Sequence, residues 1–145
     1  MKHLNFLQYR LENVDFRVVE ENLSGVKFAA TPRLTAQCAR RGNQYLVKMT
    51  VEIENDGKSN VMPFDLKVTA ACTFHIVADA DVETLRLEAS EFVYPYLRAS
   101  VTSIVTAANF PPHFLPPVDF GKVIRGAEPK ESGGSVIVRP LVDLD

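Results

Sequence analysis

The chain has 145 residues, 46% of them apolar and 23% charged, which fits one globular domain and excludes a disordered or low-complexity protein. With 16 basic and 18 acidic residues, a net charge of −2, and no basic run beyond Arg40-Arg41, it lacks the electrostatic footprint of a nucleic-acid binder. No apolar run approaches the roughly 18–20 residues of a membrane span, and Met1-Lys2-His3 leads into Asn5, Gln8 and Arg10, which is not a signal peptide. Cys38 and Cys72 make no disulfide framework, so the expected compartment is reducing, most simply the cytoplasm.

The first strand is expected to slip phase. Leu7, Tyr9 and Leu11 sit at odd positions, but Val14, Phe16 and Val18 at even ones. A one-residue slip would turn every later side chain to the other face, so a bulge is expected near Glu12-Asn13. A second strand runs from Arg33 to Ala39 with Leu34, Ala36 and Cys38 on one face, and Pro32 suits its start. Arg40-Arg41-Gly42-Asn43 turns the chain back into a third strand, where Tyr45, Val47, Met49, Val51 and Ile53 alternate with polar residues. Asn55-Asp56-Gly57-Lys58-Ser59-Asn60 then reads as a hairpin connection into Phe64–Val77, the cleanest alternation in the chain.

From about Leu87 the apolar spacing changes to three and four: Ala89, Phe92, Val93, Tyr96, Leu97, Val101, Ile104, Val105 and Ala108. That spacing predicts an amphipathic helix over Leu87–Ala108, with Ser90 as a first-turn cap and Asn109 as its stop. Glu88 and Glu91 suit the positive end of its dipole, and Pro95 either opens the regular helix or kinks it near Phe92. Apolar residues spread wider than one sheet-facing stripe, with Val101 and Ile104 beyond the side of Phe92 and Leu97, so at least a dimer is expected and a tetramer favoured. Phe110-Pro111-Pro112-His113-Phe114-Leu115-Pro116-Pro117 must cross in an extended form, and Val118–Arg125 is a short second helix with Asp119 near its start. Residues 1–125 are thus read as one α+β domain, a four-stranded antiparallel sheet with one long and one short helix on one face. Residues 126–145 are a linker and an apolar tail.

No phosphate-binding glycine loop, nucleophile elbow or Cys-x-x-Cys is present. His3, His75 and His113 fall in different elements, both cysteines lie on apolar strand faces, and Asp79, Asp81 and Glu83 read as a solvated turn rather than a calcium loop. The expectation is no enzyme, no catalytic residue, no metal and no cofactor.

Three segments carry a resemblance. Phe92-Val93-Tyr94-Pro95-Tyr96-Leu97-Arg98, then Asn109-Phe110-Pro111-Pro112, then Leu115-Pro116-Pro117-Val118-Asp119-Phe120 together resemble the SecB family of protein-export chaperones. The likeness extends from about Phe6 to Ile124. It implies protomers paired through sheet edges and helices into dimers and tetramers, holding unfolded precursor chains without ATP in apolar grooves between sheet and helices. It implies groove residues at Leu34, Ala36, Phe110, Phe114, Leu115 and Phe120, and a sheet surface facing the SecA motor at Asp15, Val19, Asp65 and Lys67. The chain departs from the family at that surface. Val19 and Lys67 stand where the family usually carries acids, so any SecA contact is expected to be weak. The alternative is an export-independent interaction protein with one dedicated partner, for example an antitoxin.

The tail also departs, because Val136, Ile137, Val138, Leu141, Val142 and Leu144 are too apolar to remain solvated. Besides packing as ordinary structure, it has three destinations: an exposed sheet edge, the chain's own groove, or a neighbouring protomer. Among these three the groove is the expected one, because such a groove accepts extended apolar segments.

Overall fold

The structure, a computed structural model, describes residues 1–19, 28–57, 60–125, 130–132, 136–138 and 142–143, with side chains as far as Lys122. Four strands form the antiparallel core of the sheet: β1 (Leu4–Val18), β2 (Arg33–Arg41), β3 (Gln44–Ile53) and β4 (Phe64–Ile76). They lie in the order β1-β4-β3-β2, so β1 is an edge strand and β4 is central. A long helix, α1 (Val82–Ala107), and a short one, α2 (Phe120–Arg125), follow. Three short strands complete the described chain: β5 (Lys130–Ser132), β6 (Val136–Val138) and β7 (Val142–Asp143).

The alternation read in the sequence becomes a two-sided sheet. Leu34, Ala36, Cys38, Tyr45, Val47, Met49, Val51, Ile53, Phe64, Leu66, Val68, Ala70, Cys72 and Phe74 are buried in one core with α1. The opposite face carries polar pairs, among them Thr50 against Thr69 at 2.8 Å and Lys48 against Glu12 at 2.8 Å. Gly42 takes the positive φ of 61° that closes the two-residue turn between Arg41 and Gln44, and Gly57 takes 74° in the β3–β4 connection. In that connection Asn55 donates to the Phe64 carbonyl and to Asp65, and accepts from the Met62 amide. Val61 bridges to Ala29, so the hairpin loop is held to the segment before β2.

β1 carries two register shifts, not one. Leu7 and Glu12 are skipped in the pairing with β4. The second is the bulge expected near Glu12-Asn13. The first makes Leu7 an inserted residue and gives its place on the inner face to Phe6, opposite Phe74. Leu4, Phe6, Tyr9, Leu11, Val14, Phe16 and Val18 therefore all face the side of the helices.

The helix begins five residues before the expected start. Asp81 is its N-cap and accepts from the Thr84 amide at 2.8 Å, so the turn read as merely solvated is the capping turn. Ser90 is not a cap but lies fully buried in mid-helix. The helix runs unbroken through Pro95, which lies on the exposed face where its missing N–H and its ring meet solvent. Its end is a Schellman turn. Asn109 adopts φ 65°, its amide bonds the Thr106 carbonyl, and the Phe110 amide bonds the Val105 carbonyl. Asp119 caps α2 by accepting from the Lys122 amide. Val101 is fully buried alongside Leu97 within the same chain, so it gives no support to an interface between protomers.

The tail goes to a sheet edge. β6 pairs parallel with β2 at Arg33 and Leu34, β7 pairs parallel with it at Gln37 and Cys38, and β5 pairs antiparallel with β6. Groove occupation is thereby replaced by strand addition. β2 presents an outer row of amides and carbonyls, and among the described residues the extended segments Val136–Val138 and Val142–Asp143 pair with it.

Candidate functional site

The crossing segment after α1 is held to the helix by two hydroxyls. Thr102 Oγ1 donates to the His113 carbonyl at 2.9 Å, and the Tyr94 hydroxyl donates to the Pro116 carbonyl. Burial pushes the Tyr94 hydroxyl up to about 12, so it remains a donor throughout the physiological range. Because the prolines cannot join a ladder, these bonds and the packing of alternate side chains fix the path. Leu115 turns inward and is 1% exposed, while its neighbour Phe114 turns outward and is 68% exposed. Phe120 is buried with its ring edge-on to Tyr94 at 5.6 Å. Phe110 is half-buried and packs on Phe64 and Phe16.

The six groove residues named from the sequence are therefore not presented together. Leu34, Ala36, Leu115 and Phe120 belong to the core of this chain, Phe110 is half-covered, and Phe114 alone is offered to water. The imidazole of His113, beside it, is pushed towards the neutral form by burial.

A larger apolar surface went unremarked in the sequence. On the inner face of β1, Phe6, Leu11, Val14 and Val18 are between 38% and 50% exposed, although their partners on β4 are buried. The helix packs on β1, β3 and β4, and meets β1 where the Tyr9 and Ser100 hydroxyls lie 2.9 Å apart. There Phe6, Tyr9, Phe92 and Tyr96 form a ring cluster with centroid spacings of 5.1–6.1 Å. The alternation of β1 marks an apolar face but carries no information on whether the same chain covers it.

The polar sheet face holds the other four named residues. Asp15 stands opposite Lys67 across the β1–β4 pair, and Glu52 stands opposite Lys67 across β3–β4. The charge of Lys67 thus lies between two carboxylates. Arg17 bonds Asp65 at 2.8 Å. Burial raises the Asp65 carboxyl, but the bonds from Arg17 and Asn55 outweigh it and hold the group below its ordinary value. Val19 lies just past β1, its amide bonded to the Pro63 carbonyl. Asp15, Arg17, Glu52, Glu54, Asp65 and Lys67 line one shallow depression, four acids against two bases.

Among the described residues no group of three or more histidine, cysteine or acidic side chains is placed to hold a metal, and no helix is long and apolar enough to cross a membrane. Both cysteines are buried, and burial pushes the Cys72 thiol up to about 12, leaving an unreactive packing residue.

The family model for SecB, the preprotein translocase subunit SecB, matches residues 29–129, more than half the chain. A protein-export protein SecB from Caulobacter vibrioides (strain NA1000 / CB15N) is 28% identical over 93 residues, 62% of this chain and 55% of that protein. This chain thus matches little more than half the length of that relative. A protein-export protein SecB from Azoarcus sp. (strain BH72) is 27% identical over 117 residues, 75% of this chain and 78% of that protein. Among solved structures, the Mycobacterium tuberculosis SecB-like chaperone in complex with a ChAD peptide from the HigA1 antitoxin superposes with a TM-score of 0.59 at 15% identity, covering 81% of this chain and 91% of that one. That likeness is one of fold. The family match, the antiparallel sheet with one long and one short helix, and the proline-framed crossing agree, and the chain belongs to the SecB family.

Proposed function

We propose that this protein is an ATP-independent holding chaperone that binds unfolded or precursor polypeptides through exposed apolar surface and works as a homo-oligomer in the cytoplasm, without catalysis. The observation that carries the reading is Phe114, an aromatic side chain held 68% exposed on a segment pinned at both Thr102 and Tyr94. A rigid proline frame offers apolar area at low ordering cost, and few directional contacts let many sequences fit. The relatives named as protein-export proteins support the same reading.

The second copy belongs on β1. Its outer edge, which no strand among the described residues pairs with, and its half-exposed inner face suit a second copy. The acidic depression on the opposite face is the docking surface for SecA. Lys67 and Val19 weaken that contact by reducing its negative charge.

The test is suppression of aggregation of a chemically unfolded protein without nucleotide. Phe114→Ser is expected to lower client affinity about tenfold while changing stability by less than about 0.5 kcal/mol, as an exposed substitution does. Unchanged affinity would remove Phe114 from the binding surface. The antitoxin-peptide complex of the Mycobacterium tuberculosis neighbour supports the narrower reading, in which one partner is served. Two unrelated unfolded clients separate the readings, because a dedicated partner protein protects neither.

A further inference from the structure

His113, Phe114 and Leu115 lie between two proline pairs, Pro111-Pro112 and Pro116-Pro117. Each proline fixes its own φ, so the backbone freedom of the crossing is concentrated in the three residues between. Leu115 is in the core, Phe114 is exposed and His113 is part-buried. The carbonyl of His113 accepts from Thr102 Oγ1 at 2.9 Å. Its Nε2 atom is shut off from solvent and, among the described residues, has no hydrogen-bond partner. A neutral imidazole can leave Nε2 as a bare lone pair, with its proton on the other nitrogen. An imidazolium carries a proton on both, so the charged form puts a donor at Nε2 with nothing to receive it. No neighbouring charge offsets that cost. On α1, Tyr94, Arg98 and Thr102 follow one another at helical spacing along the flank that bonds the crossing, and Arg98 disfavours a second cation there. Asp119 and Lys122 stand at the far end of the crossing, where Asp119 caps α2. Asp15 and Asp65 lie on the opposite face of the sheet. Burial alone holds the imidazole towards its neutral form.

We propose that His113 is a proton-operated latch on the client surface: once protonated, its ring leaves its seat for water, His113 and Phe114 become mobile between Pro112 and Leu115, and Phe114 is no longer presented in a fixed place. The proposal rests on the chaperone reading for the role of Phe114. With the ring gone, the anchor left on His113 is its one neutral bond from Thr102. The net contribution of such a bond is smaller than the conformational entropy that two freed residues regain. Leu115, 1% exposed, stays in the core as the pivot. The sign follows from burial. A histidine held neutral in the folded protein contributes order that is complete above its ordinary value of 6.5 and is lost as pH falls through the lower, folded value. Mild acid therefore releases a client, and a return to neutral pH restores the surface.

The test follows the unaltered full chain by NMR from about pH 7.5 downward through the midpoint of the His113 imidazole. That midpoint is expected below 6.5, and the Phe114 amide should pass from ordered to mobile in nitrogen relaxation at the same pH. One pH unit below the midpoint the neutral fraction is about one in eleven, so affinity for a chemically unfolded client should fall about tenfold. His113→Leu, which fills much of the same place and takes no proton, should abolish both changes, and His113→Phe serves if that chain fails to fold. His3 and His75 are common to all these proteins and cancel in the comparison. A Phe114 amide that stays ordered while His113 titrates, or an equal loss of affinity in the His113→Leu protein, overturns the proposal. Phe114 mobility that follows His113 while no client is bound at any pH sinks the chaperone reading and leaves the latch standing. Client binding that is constant through the titration of His113 overturns the latch and leaves the chaperone reading standing.

Discussion

Glu88 ties the start of the sheet to the second turn of α1. Its carboxylate accepts from the backbone amides of Lys2, His3 and Leu4 and lies 3.0 Å from His3 Nδ1. Burial raises this carboxyl, but the bonds from His3, Lys2 and Leu4 outweigh it, and the group sits below its ordinary value of 4.5. A carboxyl depressed in the folded state adds stability above its unfolded value and loses it as pH falls through the folded one. Acidification below about pH 4.5 should therefore lower the thermal midpoint, and Glu88→Gln should flatten that dependence and destabilise the protein by about 1–3 kcal/mol at neutral pH. A pH series of thermal melts on both proteins checks this. The sequence shows Glu88 only as an acid near a helix start. Its partners lie 84 to 86 positions away, beyond the reach of any local pattern.

At the scale of elements, the crossing segment separates what spacing can reveal from what it cannot. Four prolines require an extended path, and the structure keeps residues 111–119 free of helix and strand. Which of two adjacent side chains turns inward depends on the bonds from Tyr94 and Thr102, which no residue pattern contains. Leu115→Ala should therefore cost about 2–5 kcal/mol in denaturant unfolding, as a buried leucine truncation does, whereas Phe114→Ser should be nearly neutral. Equal costs would mean that the segment does not hold this orientation. The sheet was more legible. Strands β2, β3 and β4 follow their alternation closely, because one face is buried and the other wet. The start of α1 was misread because Asp81 caps from a cluster of acids that a solvated turn would equally contain.

For the whole molecule, the two edges of the antiparallel core are treated differently. The β2 edge carries the tail strands, and the β1 edge carries no strand among the described residues. The inner face of β1 also remains half-uncovered, so a second copy has both an edge and an apolar face to meet. Light scattering at micromolar concentration should give a dimer or tetramer. Leu11→Glu, which places a charge on that face, should shift the protein towards monomer without unfolding it. A monodisperse monomer of the unaltered protein would contradict the arrangement. Part of the wide apolar helix face read from the sequence is used within one chain, because Leu97 and Val101 are buried there.

The two bulges of β1 leave the strand with slack in its length. Fifteen residues meet β4 through thirteen paired positions, and the two unpaired ones are Leu7 and Glu12. Deleting Glu12 would straighten the ladder while every other side chain keeps its face, at the cost of an exposed ion pair with Lys48 that is worth little. Deleting Arg10 instead would turn Leu11 outward and bring Glu12 to the inner face, an acid on the surface a second copy must cover. Shortened chains lacking one residue at a time through β1 should therefore assemble normally when position 7 or 12 is lost. They should fail to assemble when Tyr9, Arg10 or Leu11 is lost, because a polar neighbour then moves to the inner face.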